Sequence, residues 1–327
     1  MEDIFLRIEG VTKAYDQHVA VNHASLNVPR GKIYGLLGPN GAGKTSIIRM
    51  ITGITAPDSG VIYFDGEPRG EKHARETGYM PEERGLYKKM KIREQIVYLL
   101  SLKGMSEKQA KTTAVEWLER LGLADWAERP ANDLSKGMQQ KVQFIATVAH
   151  EPKLLILDEP FSGLDPVNAK LIESEIYRLK EQGTTIIFST HRLEQVEELC
   201  DYIALINKGE VMLENEITEV RQQFQRQVYR VDFRGNRSVI QGLAGVKVNE
   251  LTDKTAMIEL QGNTDYKDVL RQLIDSPLEI LTFELHLPRL TEIFIELVTG
   301  KPFKPTADGE AALIATQTLN ATEDAEA

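Results

Sequence analysis

The sequence predicts an α/β fold built on a buried parallel sheet and followed by a small α+β domain. Three observations predict it. Leu154-Leu155-Ile156-Leu157 and Thr184-Thr185-Ile186-Ile187-Phe188 are continuously apolar, as strands buried on both faces of a parallel sheet are. Ile33-Tyr34-Gly35-Leu36-Leu37 runs into a glycine-rich loop and then a helical pattern, a strand–loop–helix unit. From residue 228 the pattern reads strand, short helix, strand, strand, helix, strand, helix, which contains the β-α-β-β-α-β order of a ferredoxin-like domain.

Each element has its own signal. Residues 4–11 and 19–28 alternate apolar and polar side chains around a turn at Tyr15–His18 and read as antiparallel strands. Ser46–Thr52 continues the glycine-rich loop as a helix, and Val61–Phe64 returns as a strand before the turn Asp65-Gly66. From about 92 the spacing becomes helical, over Ile92–Leu102, Ser106–Leu121 and Gly137–His150. Ser106 with Gln109 three places on makes a capping box. Pro166–Gln182 is a helix stopped by Gly183. Tyr202–Asn207 and Glu210–Leu213 form a hairpin around Lys208-Gly209, and Ile217–Arg226 is a polar connecting helix. Beyond it, strands are expected near Val228–Phe233, Val246–Glu250, Ala256–Leu260 and Leu278–Leu285, with a last helix from Pro288. The expected organisation is a first domain over 1–218, with a helical subdomain at about 83–150, and an accessory domain over 219–300. The tail 301–327, rich in Ala, Thr and acids, is expected to be disordered.

At 327 residues the chain is long enough for two domains. Its net charge of −10 lacks the electrostatic footprint of a general nucleic-acid binder. A single cysteine, Cys200, rules out an intrachain disulfide and fits a reducing compartment. The acidic start Met1-Glu2-Asp3 lacks a signal-peptide pattern. No apolar run approaches the ~20 residues that span a bilayer. Any path across a membrane is expected from another chain.

Gly38-Pro39-Asn40-Gly41-Ala42-Gly43-Lys44-Thr45, with Ser46 behind it, matches G-x-x-x-x-G-K-[ST] between a strand and a helix. Its amides would converge on phosphate oxygens, Lys44 would reach the β- and γ-phosphates, and Thr45 would place its hydroxyl on Mg²⁺. The helix behind it would turn its positive end to the anion. Leu154–Leu157 delivers Asp158 and Glu159 to the carboxyl end of a strand, where parallel sheets place their ligand sites. Asp158 suits Mg²⁺, and Glu159 suits the orientation or deprotonation of an attacking water. These two motifs mark a P-loop NTPase.

Further residues narrow the class. Asn132-Asp133-Leu134-Ser135-Lys136-Gly137-Met138-Gln139-Gln140-Lys141 resembles the signature of ATP-binding-cassette (ABC) proteins, usually L-S-G-G-Q. Ser162-Gly163-Leu164-Asp165 resembles their D-loop, and His191 resembles their switch histidine. Tyr15 falls where the family stacks a ring on adenine, and Glu82 falls at the Q-loop position. The stretch Glu82–Tyr87, the Leu-Ser-Lys-Gly-Met run, Asp-Glu-Pro-Phe-Ser-Gly-Leu-Asp-Pro-Val-Asn and the Leu287–Phe294 segment look like the branch with sodium-extrusion subunits.

The resemblance implies an ATPase subunit of an ABC-2-type exporter at the cytoplasmic face of the cell membrane. It implies ATP and Mg²⁺ as cofactors, and as partners a second nucleotide-binding subunit, alike or different, and membrane permease subunits, with no nucleic acid. Glu159, His191 and Glu82 would be catalytic, with Thr45, Asp158 and Glu82 around the metal. Ser135, Lys136, Gly137 and Asp165 would address a nucleotide across the dimer. Glu82 replaces the usual glutamine, Lys136 a glycine and Met138 a glutamine. Family members acting on ribosomes or DNA resemble tandem cassettes or carry long coiled coils. This sequence has neither an internal repeat nor sustained heptads. A regulatory ATPase without a transporter is a further alternative.

Overall fold

The alternating segments at the amino terminus pair as an antiparallel ladder, β1 (Ile4–Tyr15) with β2 (His18–Pro29), in which Tyr15 lies opposite His18. In the computed structural model, which describes residues 3–83 and 85–303, they belong to the first of two units that divide between Asn215 and Glu216. The chain then forms β3 (Ile33–Leu37), α1 (Lys44–Thr52), β4 (Ser59–Phe64), β5 (Glu67–Pro68), α2 (Glu71–Glu76) and β6 (Thr77–Met80). The helical segment follows as α3 (Ile92–Leu102), α4 (Glu107–Arg120) and α5 (Lys136–Val148). Next come β7 (Leu154–Asp158), α6 (Pro166–Glu181), β8 (Thr185–Ser189), α7 (Leu193–Leu199), β9 (Tyr202–Asn207) and β10 (Glu210–Glu216).

Two sheets result, in the orders β2-β1-β4-β5 and β10-β9-β3-β8-β7-β6. In the second, β3 runs parallel to β8 and β9, and β7 runs parallel to β8 and β6. All residues of β3, β7 and β8 are buried, which is why their sequences are continuously apolar. Leu6, Ile8 and Leu26 of the antiparallel sheet share one core with Leu36, Ile156 and Ile187 of the parallel sheet and with Ile47 and Ile48 of α1. Each such side chain stabilises by about 1.5–3 kcal/mol when fully buried, so α1 is fixed at the carboxyl end of β3. β6 has no periodicity of its own to predict it. Its four residues are a strand because they lie alongside β7, Thr77 opposite Leu154 and Met80 opposite Leu157.

Ser106 caps α4 with Gln109 as the reciprocal partner, as the sequence predicts. Trp117 packs edge-on against Phe144 of α5 at 6.3 Å, whereas Trp126 is 37% exposed.

The second unit holds α8 (Ile217–Gln223), β11 (Val228–Arg234), α9 (Ser238–Gln241), β12 (Val246–Leu251), β13 (Thr255–Leu260), α10 (Tyr266–Ile274), β14 (Glu279–Leu285) and α11 (Leu290–Thr299). Its antiparallel sheet has the order β12-β13-β11-β14, the ferredoxin-like arrangement with the first strand between the third and the fourth. Val231, Phe233, Ile258, Val269 and Leu273 form its core. The last helix begins at Leu290, later than Pro288, because Arg289 is its N-cap and the Glu292 carboxylate accepts the Arg289 amide at 2.9 Å. Residues 304–327 of the expected disordered tail lie outside the described residues.

Each unit has a core built from its own residues. A chain ending at Asn215 is therefore expected to melt in one cooperative transition and to keep its affinity for ATP, measured by calorimetric titration. A folded truncation without affinity for nucleotide would place part of the site beyond Asn215.

Candidate functional site

β3 ends at Leu37, and the chain turns through Gly38–Gly43 into α1. Two of these glycines admit no side chain. At Gly38 (φ 149) a Cβ would lie 2.1 Å from the Ile206 carbonyl oxygen, and at Gly43 (φ 105) 2.4 Å from that of Ala20. Gly43 is the N-cap of α1, no side chain caps that end, and its first turn, Lys44, Thr45 and Ser46, carries no acid. The free amides and positive dipole of this helix end therefore suit an anion. The opposite end is occupied: the Arg69 guanidinium donates to the carbonyls of Ile51 (3.1 Å) and Thr52 (2.8 Å).

The Lys44 ammonium donates to the carbonyl oxygens of Gly38 (2.6 Å) and Pro39 (2.8 Å). Burial holds its pKa below the ordinary lysine value, while Glu159, Asp158 and Glu82 act in the opposite direction. Those three acids are thus gathered around the loop. Asp158 ends β7 and is only 6% exposed. Burial pushes its carboxyl above the usual range, with the charges of Glu159 and Glu82 adding to the effect. Glu82 lies in the exposed loop after β6.

Glu159 has φ 50, left-handed for a residue with a side chain, a conformation that costs of order 1–3 kcal/mol and needs support from its surroundings. Its amide donates to the Ser189 carbonyl (2.9 Å). Oε1 of its carboxylate accepts the His191 amide (2.8 Å) and faces His191 Nδ1 at 2.7 Å, while Oε2 accepts the Thr190 hydroxyl (3.1 Å). Burial acts to raise this carboxyl, but the bonds from His191 and Thr190 bring it below the ordinary glutamate value. The carboxylate in turn raises the His191 imidazole.

Sequence reasoning missed two residues. Thr190 is fully buried at the end of β8; a small polar residue between a buried strand and His191 was the available signal. Gln140, 1% exposed on α5, donates to the Pro160 carbonyl at 3.0 Å and approaches that of Glu159 at 3.5 Å. Helical spacing makes it an ordinary buried position, and only the fold brings it to Glu159.

The signature residues form a second group. Ser135 caps α5, accepting the Met138 amide at 3.2 Å, and Lys136 and Gly137 follow in the first turn. A Cβ on Gly137 would meet the Gly163 carbonyl at 3.5 Å, so this helix end rests on the D-loop turn. A cleft lined by Lys136, Ser162 and Gly163 also includes Glu82. Asp165 is committed to α6: it accepts the amides of Val167 and Asn168, each at 3.0 Å, and the Asn168 side chain. The Asn168 bonds lead in holding its carboxyl below the usual range. Tyr15 stands at the end of β1, 37% exposed, with the Lys13 ammonium 5.6 Å from its ring centroid.

Known proteins share this pattern. A family model described as ABC transporter matches residues 21–162, and one described as ATP-binding protein DrrA1-3-like, C-terminal domain, matches 216–298. The ABC transporter ATP-binding protein YhaQ of Bacillus subtilis is 40% identical over 90% of this chain and 98% of its own length. The lantibiotic transport ATP-binding protein SrtF of Streptococcus pyogenes is 36% identical over 64% and 90%. The linearmycin resistance ATP-binding protein LnrL of Bacillus subtilis is 37% identical over 63% and 68%. A solved ATP-binding subunit of an ABC transporter superposes with a TM-score of 0.63 at 30% identity, covering 67% of this chain and 93% of that one. A dimeric ATP-binding cassette in a post-hydrolysis state, bound to ADP and Pi, superposes with a TM-score of 0.60 at 25% identity, covering 65% and 98%.

Proposed function

This chain belongs to the ATP-binding proteins of ABC transporters, and from that premise we propose that it powers export through ABC-2-type permease subunits at the cytoplasmic face of the cell membrane. As a member of the family it binds and hydrolyses ATP to drive transport through separate membrane subunits. None of its described helices is long and apolar enough to cross a membrane. Relatives named for lantibiotic transport and linearmycin resistance support the export direction.

One observation carries the chemical reading: the Glu159 carboxylate, held at 2.7 and 2.8 Å by His191, shares its surroundings with Lys44 of the phosphate loop. In this reading Tyr15 stacks on adenine, and residues 38–46 hold the phosphates. Lys44 leaves its own loop's carbonyls for the β- and γ-oxygens. Water attacks the γ-phosphorus in line, Glu159 takes its proton, and ADP and phosphate leave. His191 keeps the carboxylate aimed. Thr45, Asp158 and Glu82 would hold Mg²⁺, since they are oxygen donors suited to a hard cation and the burial that strains Asp158 is relieved by a positive neighbour. Bound there, Mg²⁺ would offset the charge of the phosphates. Ser135, Lys136, Gly137 and the D-loop at Asp165 would face the nucleotide of a second copy or a paralogue.

Glu159→Gln is expected to bind ATP normally and to hydrolyse it about 10²–10⁴-fold more slowly, the usual cost of a lost general base. Lys44→Ala is expected to weaken ATP binding itself. Steady-state hydrolysis and equilibrium titration separate the two, and near-normal turnover in Glu159→Gln would remove Glu159 from the role.

Glu82→Gln keeps an oxygen where the family has one and is expected to retain substantial ATPase activity, while Glu82→Ala loses much of it. A harmless alanine would leave Glu82 as a solvated loop acid.

Lys136 occupies the first turn of α5, which carries no acid, and a cation there opposes the helix dipole by roughly 0.3–1 kcal/mol. A γ-phosphate from a partner copy would reverse that sign. Lys136→Gly is therefore expected to weaken ATP-driven dimerisation more than ATP binding by the monomer, measured by sedimentation and titration at low salt. Unchanged dimerisation would make Lys136 an ordinary solvated lysine.

A further inference from the structure

We propose that Thr190 is a positioning residue for hydrolysis, its hydroxyl selecting which lone pair of the Glu159 carboxylate remains open to the attacking water. The inference rests on the reading that Glu159 accepts the proton of that water.

Few acceptor directions of the Glu159 carboxylate remain open. An ionised carboxylate offers about four lone-pair directions, two on each oxygen. On Glu159, Oε1 faces two groups of His191, the backbone amide at 2.8 Å and Nδ1 at 2.7 Å. With the imidazole proton on Nδ1, both directions of Oε1 are filled. Thr190 fills one direction of Oε2 at 3.1 Å. One direction is left, on Oε2, and the Thr190 contact decides which. Without it the carboxylate keeps its anchor at Oε1 but loses the contact that distinguishes the two directions of Oε2.

The Thr190 hydroxyl has one proton and lies near Oε2 of Glu159 at 3.1 Å and the side-chain amide of Gln195, whose oxygen is assigned at 3.3 Å. It also accepts the Arg192 amide at 3.1 Å. One proton cannot serve both oxygens. The orientation of a glutamine amide is assigned from its hydrogen bonds, and here the network has one complete solution. Gln195 turns its nitrogen to the hydroxyl. Thr190 then accepts from Gln195 and Arg192 and gives its proton to Glu159. The hydroxyl is fully buried, so water does not offer it another partner, and its β-branch limits χ1 to few rotamers.

A hydroxyl that merely closed the turn by accepting the Arg192 amide would act on folding and not on Glu159. The test compares steady-state kcat and KM for the full chain with Thr190→Val, Thr190→Ser and Glu159→Gln, and with the Thr190→Val, Glu159→Gln pair. Thr190→Val is expected to lower kcat about tenfold, the scale of one hydrogen bond to a charged group, while KM for ATP stays within about twofold. Thr190→Ser is expected to restore kcat to within about threefold. In the Glu159→Gln background, where the charged acceptor is gone, Thr190→Val is expected to add less than about twofold, since residues acting as one unit are not additive. Should Thr190→Val not fold, Thr190→Ala carries the same comparison. Wild-type kcat in Thr190→Val, or an undiminished cost in the Glu159→Gln background, overturns the proposal. Near-normal turnover in Glu159→Gln alone would instead overturn the role of Glu159, so the two failures are distinguishable.

Discussion

The uncapped amino end of α1 is the constraint around which the first unit is organised. Most helices satisfy their first amides with a side chain of the N-cap. Here the N-cap is Gly43, which has no side chain to offer and whose backbone conformation excludes one that could. The local cost is offset by packing: Ile47, Ile48, Met50 and Ile51 of the same helix are buried, and Arg69 satisfies carbonyls at the far end. α1 is therefore held by its apolar face and its carboxyl end, leaving its amino end for an anion. Lys44 shows the same economy. Its ammonium is desolvated and bonded to the loop's own carbonyls, a partnership that a phosphate oxygen of higher charge would displace.

The acids opposite obey a second balance. Asp158 and Glu159 are neighbours in sequence, both largely withdrawn from solvent, yet their carboxyls are displaced in opposite directions. Burial dominates at Asp158 and makes it a carboxylate that gains from a nearby cation. At Glu159 the donors of His191 and Thr190 outweigh burial and keep it ionised. The left-handed turn at Glu159 is supported by the bond from its amide to the Ser189 carbonyl and by those its carboxylate accepts from the His191 amide and the Thr190 hydroxyl. In the reading proposed above, one acid serves charge and the other serves the water, and the division comes from their surroundings rather than their identity.

The legibility of this site in the sequence followed the range of the contacts involved. Lys44, Asp158 and Glu159 were readable because a loop or acid pair directly after a fully apolar strand is a local pattern with a mechanical meaning. The parallel strands β3, β7 and β8 and the capping box of α4 were readable for the same reason. β6 was not, since it is a strand only by virtue of its neighbour, nor was the late start of α11, which depends on Arg289 and Glu292. Thr190 and Gln140 escaped because their roles depend on a carboxylate 31 residues away and on carbonyls up to 20 residues away. The departures from the family at Glu82 and Lys136 were visible as letters. Only the structure places both on one cleft with Ser162 and Gly163.

That cleft bears on how two copies of the chain could communicate. The first turn of α5 carries Ser135, Lys136 and Gly137, which in the proposed dimer face the nucleotide held by the partner. One turn further along the same helix, Gln140 grips the Pro160 carbonyl, next to Glu159. A helix is stiff over so short a distance, because each displacement of its first turn is shared through its i to i+4 hydrogen bonds. Movement of the signature toward a partner's phosphate would therefore be felt at the peptide that sets the Glu159 turn. Gly137 adds a second adjacency, since a Cβ there would lie in ordinary van der Waals contact, 3.5 Å, with the Gly163 carbonyl of the D-loop. In the proposed dimer, the element that would sense the neighbour's nucleotide and the segment that holds Glu159 are thus mechanically adjacent. Coupling between two such sites would need no pathway longer than one helical turn.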